Sequence, residues 1–192
     1  GKPVGKRWTF DTLNRESLPK DFPIPPVWHP EPNEYVHEAI SYVEEHFPGT
    51  YGNDTPFLWP VTFEDANRWF EDFLVNRLAS FGRYEDAIHR NEPVLFHSAL
   101  SPLLNIGLLT PENVVAATLA YAKEYEVSVG SLEGVIRQGI GWREFIRAVY
   151  LLAGKKEQAS NVLELSQPVP SCFWNASTGI EPVDTTIGRV LA

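Results

Sequence analysis

Apolar residues recur at helical spacing through most of the chain beyond position 33. Val36, Ile40, Val43 and Phe47 predict a helix over 34–47, capped by Asn33 and stopped by Pro48-Gly49. Thr62 with Asp65 opens a second helix to about residue 79, whose stripe of Ala66, Trp69, Phe70, Phe73, Leu74 and Leu78 is wide enough to require a core. Thr110-Pro111-Glu112 launches a third to about residue 124, with Val114, Val115, Thr118, Leu119 and Ala122 on its buried side. After a connection over 125–130, Ser131 caps the longest helix, about 131–152. No strand pattern competes with these elements, so the fold class is all-α, a helical bundle.

The intervening stretches read differently. Residues 1–32 lack an apolar period and carry Pro3, Pro19, Pro23, Pro25, Pro26, Pro30 and Pro32; they predict an extended interdomain linker pinned by Trp8, Phe10, Phe22 and Trp28, ahead of one helical domain over 33–192. Asn53-Asp54-Thr55-Pro56 marks a turn within the 49–60 loop. Phe81-Gly82 is expected to end the second helix and begin a short one that includes Tyr84, Glu85 and Asp86; the two acids there read as complements of a helix dipole. Residues 153–170 form a polar, mobile segment before Cys172-Phe173-Trp174.

Composition narrows the class. The chain has 192 residues, 43% of them hydrophobic and 12% aromatic, enough for a sizeable core. It holds no long apolar run and a single cysteine, Cys172, which fits a soluble protein of the reducing cytoplasm with no membrane segment. A net charge of -9 argues against a nucleic-acid surface spread over the whole molecule. Residues 31–92 hold 13 acids against 4 bases, whereas 129–160 hold 5 bases against 3 acids, so any DNA-facing surface should lie near Arg137, Arg143, Arg147, Lys155 and Lys156. His37 and His46 have no third ligand at metal spacing, and no metal site is expected.

Two stretches carry the chemistry. In Phe96-His97-Ser98-Ala99-Leu100-Ser101-Pro102, Ser101 is the expected N-cap and Pro102 the first helical residue, which would aim free backbone N–H groups at a phosphate. In Gly139-Ile140-Gly141-Trp142-Arg143-Glu144-Phe145, each glycine costs about 1 kcal/mol in a helix, which suggests close approach to the backbone. Trp142 offers a flat apolar face, Gln138 an amide and Arg143 a positive charge. Arg143 and Glu144 can equally form an ion pair within the bundle.

Together, Phe81-Gly82-x-Tyr84-Glu85-Asp86-Ala87, Phe96-His97-Ser98-x-Leu100-Ser101-Pro102, Gly134-x-Ile136-Arg137-Gln138-x-x-Gly141-Trp142-Arg143-Glu144 and Phe173-Trp174 resemble the flavin-binding helical domain of the photolyase and cryptochrome superfamily. They are most similar to its bacterial photolyase-related branch, many of whose members carry an iron–sulfur cluster. The resemblance implies FAD as cofactor, with Tyr84, His97, Ser98, Leu100, Ser101 and Arg143 as its contacts. It implies damaged DNA as partner, met by Gln138, Trp142 and Arg147, and light-driven repair of pyrimidine dimers or (6-4) lesions by electron donation from reduced flavin. Trp174 becomes a candidate for electron transfer, although bare sequence reads it as core.

Where the family places Thr-Ser, this chain has His97-Ser98; an imidazole N–H still donates to a phosphate oxygen. Where cluster-bearing members place a cysteine eight residues after the tryptophan, this chain has Pro182, which argues against an iron–sulfur cluster. The resemblance also implies a piece of a longer protein, lacking an N-terminal α/β antenna domain and the C-terminal half of the flavin cradle. The isolated piece is then expected to bind FAD weakly or not at all and to repair nothing. Two other readings stand beside repair: a cryptochrome-like blue-light photoreceptor, and a helical interaction module without flavin.

Overall fold

Helix starts carrying a hydroxyl or amide cap are built where local chemistry places them. In the computed structural model, which describes residues 2–3, 6–53 and 56–191, the helices are α1 Glu34–His46, α2 Phe63–Asn76, α3 Leu78–Tyr84, α4 Ser101–Asn105, α5 Pro111–Glu124, α6 Val129–Ile136, α7 Trp142–Gln158 and α8 Glu181–Leu191. Among the described residues there is no strand. The side chains of Asn33, Thr62 and Thr110 accept from the backbone N–H groups of Val36, Asp65 and Asn113, satisfying donors that a helix start leaves unpaired. Asp54 and Thr55, in the expected turn, lie outside the described residues.

The chain divides into two units, residues 1–30 with 59–152, and residues 31–58 with 153–192. In the first, the α2 stripe meets Leu78, Phe81, Leu100, Leu103, Leu109, Val114 and Val135 in one core. Trp28 and Trp59 pack against it, and Arg68 stacks over Trp28 at 4.3 Å. Phe22 meets Tyr84 edge-on at 4.9 Å and Phe96 at 5.8 Å in a second cluster. Phe22 and Trp28 therefore pin the N-terminal segment, as expected, but Trp8 is 86% exposed and pins nothing. That segment contains a 3-10 turn, Asp11–Leu13.

Several expectations need correction. The second helix is not continuous to residue 79, because Arg77 breaks it and α3 follows at once. The Arg77 guanidinium is fully buried and ion-paired with Asp72 at 2.9 Å; its angles fall outside hydrogen-bond geometry, and burial pulls its pKa down while Asp72 pulls it up. Phe81-Gly82 is not a break either, since both residues lie buried inside α3. On α5, Val114, Thr118 and Ala122 are buried, but Val115 is only half-buried and Leu119 is exposed.

The α6 cap is Ser128, whose side chain accepts from the Ser131 N–H. Ser131, the expected cap, is fully buried and accepts from the Gly82 N–H at 3.0 Å. α3 and α6 cross there at a distance only glycine permits: a Cβ on Gly82 would stand 2.6 Å from the Ser131 nitrogen and 2.9 Å from the Gly130 carbonyl carbon. A Cβ on Gly134 would stand 2.8 Å from the Phe81 ring. The close approaches between helices are at Gly82 and Gly134, whereas at Gly139 and Gly141 an added Cβ would meet nothing within 4 Å beyond the local helix backbone among the described residues, which leaves that backbone open to a ligand. Those two glycines sit instead in a π turn, Arg137–Gly141, between α6 and α7. α7 runs on to Gln158, into the stretch expected to be polar and irregular.

In the second unit, Val36 is the buried residue of α1. The Asn53 N–H donates to the Val190 carbonyl at 3.0 Å. Tyr51 donates its hydroxyl to the Trp174 carbonyl at 2.9 Å and sets its ring edge-on to the indole at 5.5 Å. Asp184 reaches back from α8 to accept from the Thr178 N–H, the Thr178 hydroxyl and the Gly179 N–H. No helix among the described residues is long and apolar enough to cross a membrane.

Candidate functional site

The chemistry of the first unit concentrates where α4 faces the π turn and α7. The segment entering α4 is held from beneath: the Trp69 indole N–H donates to the Ser98 carbonyl at 3.0 Å, and Leu100 and Leu103 are buried in the core. Ala99 takes a left-handed conformation with φ 50°, uncommon outside glycine, which turns the chain into the helix. α4 is only five residues long, and Leu100 stands at its cap position in helical conformation. Ser101 is therefore the first helical residue and not a cap, and no side chain caps this helix. A single turn carries little macrodipole, so recognition here rests on side chains.

Opposite stands the π turn with α7. Between the two walls lies a hollow of about 550 Å³, lined by Ser98, Leu100, Ser101, Leu104 and Asn105 on one side and by Gln138, Gly139, Trp142, Arg143, Ile146, Arg147 and Tyr150 on the other. Phe81, Val114 and Val135 contribute apolar surface. Arg143 donates from Nη2 to the Asn105 carbonyl oxygen at 3.2 Å, tying the walls together. The segments around 101 and 142 therefore converge on one space.

Of the expected contacts, Ser98, Leu100, Ser101, Arg143, Gln138, Trp142 and Arg147 all line this hollow. Two do not. Tyr84 is 2% exposed, enclosed by Phe22 and Phe96 with Arg83 over its ring at 5.3 Å, so its role here is packing. His97 is half-buried against the edge of Phe81 at 5.7 Å. Trp174 belongs to the second unit, where it is 54% exposed rather than core. Glu144 pairs with Arg147 at 3.4 Å instead of with Arg143, and among the described residues Arg143 is held by a neutral amide and by no acid.

A second cavity, of about 460 Å³, shares Gln138 and Trp142 with the first. Its other lining includes Asn14, Glu85, Glu133, Arg137, Gly141 and Phe145. Burial would push the Glu133 carboxyl up, but the Phe10 N–H, the Thr9 hydroxyl and the Arg137 guanidinium together hold it below the ordinary carboxylate range. Phe145 meets Trp142 edge-on at 5.8 Å, leaving the indole 64% exposed. The sequence singles out neither Asn105 nor Asn14, and Glu85 only as a dipole complement, because each acts on a residue far along the chain: Asn105 on Arg143, Asn14 on Glu85, and Glu85 on Gln138.

The donor set of the larger hollow suits a ligand with an anionic part and a flat, largely apolar part. Two serine hydroxyls, the Tyr150 phenol and two guanidinium groups stand beside aliphatic side chains, and its size falls in the range of cofactor sites. Among the described residues no group of three His, Cys, Asp or Glu is placed to hold a metal ion.

A profile described as deoxyribodipyrimidine photo-lyase-related protein matches residues 1–59. A (6-4) photolyase of Agrobacterium fabrum is 37% identical over 179 residues, 92% of this chain and 35% of that protein. The uncharacterized protein R853 of Acanthamoeba polyphaga mimivirus is 39% identical over 105 residues, 54% of this chain and 80% of that protein. The chain thus spans about a third of the length of the Agrobacterium protein.

Proposed function

Since this chain belongs to the deoxyribodipyrimidine photo-lyase-related family, we propose that its first unit supplies part of the FAD-binding and lesion-binding surface of a light-driven DNA photolyase. The observation that carries this reading is the convergence of Ser98, Ser101 and Asn105 with Gln138, Trp142 and Arg143 on one hollow. Bound there, reduced FAD would supply the excited electron that splits a pyrimidine photoproduct and would recover it afterwards.

The residues divide the work by chemistry. Arg143, oriented by Asn105, keeps further N–H groups for a diphosphate, and the Ser98 and Ser101 hydroxyls stand ready to donate to the same oxygens. Leu100, Leu104, Val114 and Val135 exclude water from an apolar ring system. Trp142 presents its exposed face to a base swung out of the duplex, and Gln138 its amide to that base. Arg147 borders the same opening and offers phosphate contact. Trp174, half exposed beside Tyr51, is assigned the relay of electrons from solvent, a role taken from the resemblance. Pro182 occupies the second position of α8, where a cluster ligand would be required, so no iron–sulfur cluster is assigned.

The test is an absorption spectrum of the whole protein, followed by illumination with an oligonucleotide carrying a defined thymine photoproduct. Bands of bound flavin and light-dependent loss of the photoproduct are expected. Flavin bands without repair would assign a photoreceptor instead. Absence of flavin would leave a helical interaction module.

A further inference from the structure

Glu85 lies 53 residues from Gln138 in sequence, yet the Gln138 side-chain amide nitrogen donates to its Oε1 at 2.5 Å. The other carboxylate oxygen accepts from the Asn14 side-chain amide at 3.2 Å. Asn14 is itself 5% exposed and directs a further N–H toward the Gly130 carbonyl at 3.4 Å, so the chain of contacts begins at a fixed, buried point. Gly134 makes room for it, since a Cβ there would stand 2.8 Å from Glu85 Oε2.

A carboxylate only accepts hydrogen bonds, so the Gln138 amide must turn its NH2 group toward Glu85. Its carbonyl oxygen is left with no protein partner among the described residues, on a side chain that borders both cavities. Gln138 sits in the π turn, where the wider helical path is commonly associated with functional sites.

From this geometry we infer that Glu85 is a positioning residue which locks the Gln138 amide so that its carbonyl oxygen faces the ligand, selecting heterocycles that offer an N–H donor. The inference rests on the function proposed above, because the heterocycle is either the flavin ring or the pyrimidine of the lesion. Both carry an imide N–H between two carbonyl groups. A freely turning glutamine would accept or donate equally; a locked one prefers donors.

The experiment uses the whole protein in three forms: wild type, Glu85→Gln, and the exchanged pair Glu85→Gln with Gln138→Glu. The single variant lets the amide turn, whereas the exchanged pair restores the hydrogen bond with an acceptor again facing the ligand. Binding is measured for FAD and, separately, for an oligonucleotide bearing a thymine photoproduct. A roughly five- to tenfold loss in one arm for Glu85→Gln, recovered in the exchanged pair, is expected. The arm that moves identifies whether flavin or pyrimidine is read. Equal affinities in all three forms, in both arms, would overturn the inference.

Should the protein bind neither probe, the proposed function fails and this inference is judged separately. In 15N-glutamine-labelled protein the two Gln138 side-chain amide protons should be widely separated in chemical shift and should collapse toward the free-glutamine values in Glu85→Gln. A Gln138 signal already at free-glutamine values in wild type overturns the locking. Gln138→Ala supplies the baseline if Glu85→Gln unfolds: it should lose the same affinity in the same arm, and no loss would count against the inference.

Discussion

Residues 96–105 reach the larger hollow from a packed floor, with Phe96, Leu100 and Leu103 no more than 4% exposed, whereas across it Trp142, Ile146 and Tyr150 are each more than half exposed. The first wall is fixed by the Trp69 hydrogen bond and by α2 and α3 beneath it. The second has no buried residue anywhere in the π turn or α7. A site made this way separates two demands: the packed wall holds hydroxyls at set positions, while the open wall keeps aromatic and cationic surface available to a ligand. Among the described residues the polar link between them is Arg143 to Asn105.

The sharpest way to break this contrast is at the crossing that supports both walls. Gly82→Ala should cost about 3 kcal/mol in urea unfolding, because its Cβ meets backbone atoms of Gly130 and Ser131 that cannot step aside without parting α3 from α6. At Gly134→Ala the nearest atoms belong to side chains, the Phe81 ring and the end of Glu85, and the cost should be about 1 kcal/mol. Equal losses for the two would mean that the helix crossing is more yielding than the geometry indicates.

Next in size is the polar link. Arg143→Met should leave unfolding within about 0.5 kcal/mol of wild type, since the side chain is not buried. FAD affinity of the whole protein should fall roughly ten- to a hundredfold, the worth of a charge-assisted contact to phosphate. A stability loss without an affinity loss would make Arg143 a structural clamp.

The two tryptophans sharpen the comparison further. Trp69→Phe removes the donor to the Ser98 carbonyl and should cost about 1 kcal/mol of stability. Trp142→Ala, on the open wall, should leave stability nearly unchanged but weaken binding of a photoproduct oligonucleotide by about 1 kcal/mol or more. The same residue type would then serve packing on one side and recognition on the other, as read by denaturation and by titration.

How far the sequence discloses these walls follows the same division. Asn33, Thr62 and Thr110 were legible as caps because a cap needs only its own side chain and an N–H three residues on. Ser101 and Ser131 carry the same local signal and fail it, since Leu100 already has helical dihedrals and Ser131 is claimed by Gly82 from another helix. Tyr84 was expected at a ligand, yet Phe22 and Phe96 bury it from segments the local pattern does not connect. Glycine spacing marked 139–141 as backbone open to close approach, and the fold sets both glycines in a π turn, with Gly139 bordering the larger hollow. Glu85 read as a dipole complement, and only the fold reveals that it meets Gln138.

The smallest effect expected separates the units by pH. Asp184, in the second unit, is held below its ordinary value of 3.8 first by the Thr178 hydroxyl; burial opposes this, and the N–H groups of Thr178 and Gly179 add to the depression. A carboxylate depressed in the folded state contributes stability above its unfolded pKa and loses it as pH falls through the folded one. The backbone N–H signals of Thr178 and Gly179 should therefore stay constant down to about pH 4 and move only below it, with a midpoint under 3.8. Asp184→Asn should abolish that transition and leave untouched the one reported by the Phe10 N–H, which follows Glu133 in the first unit. Both groups are depressed, but by different donors: a neighbouring hydroxyl and loop amides for Asp184, and a residue 123 positions away for Glu133. Destabilising the first unit with Gly82→Ala should raise the Glu133 midpoint toward its ordinary value while Asp184 stays where it was, and joint movement of the two would show that the units share their stability.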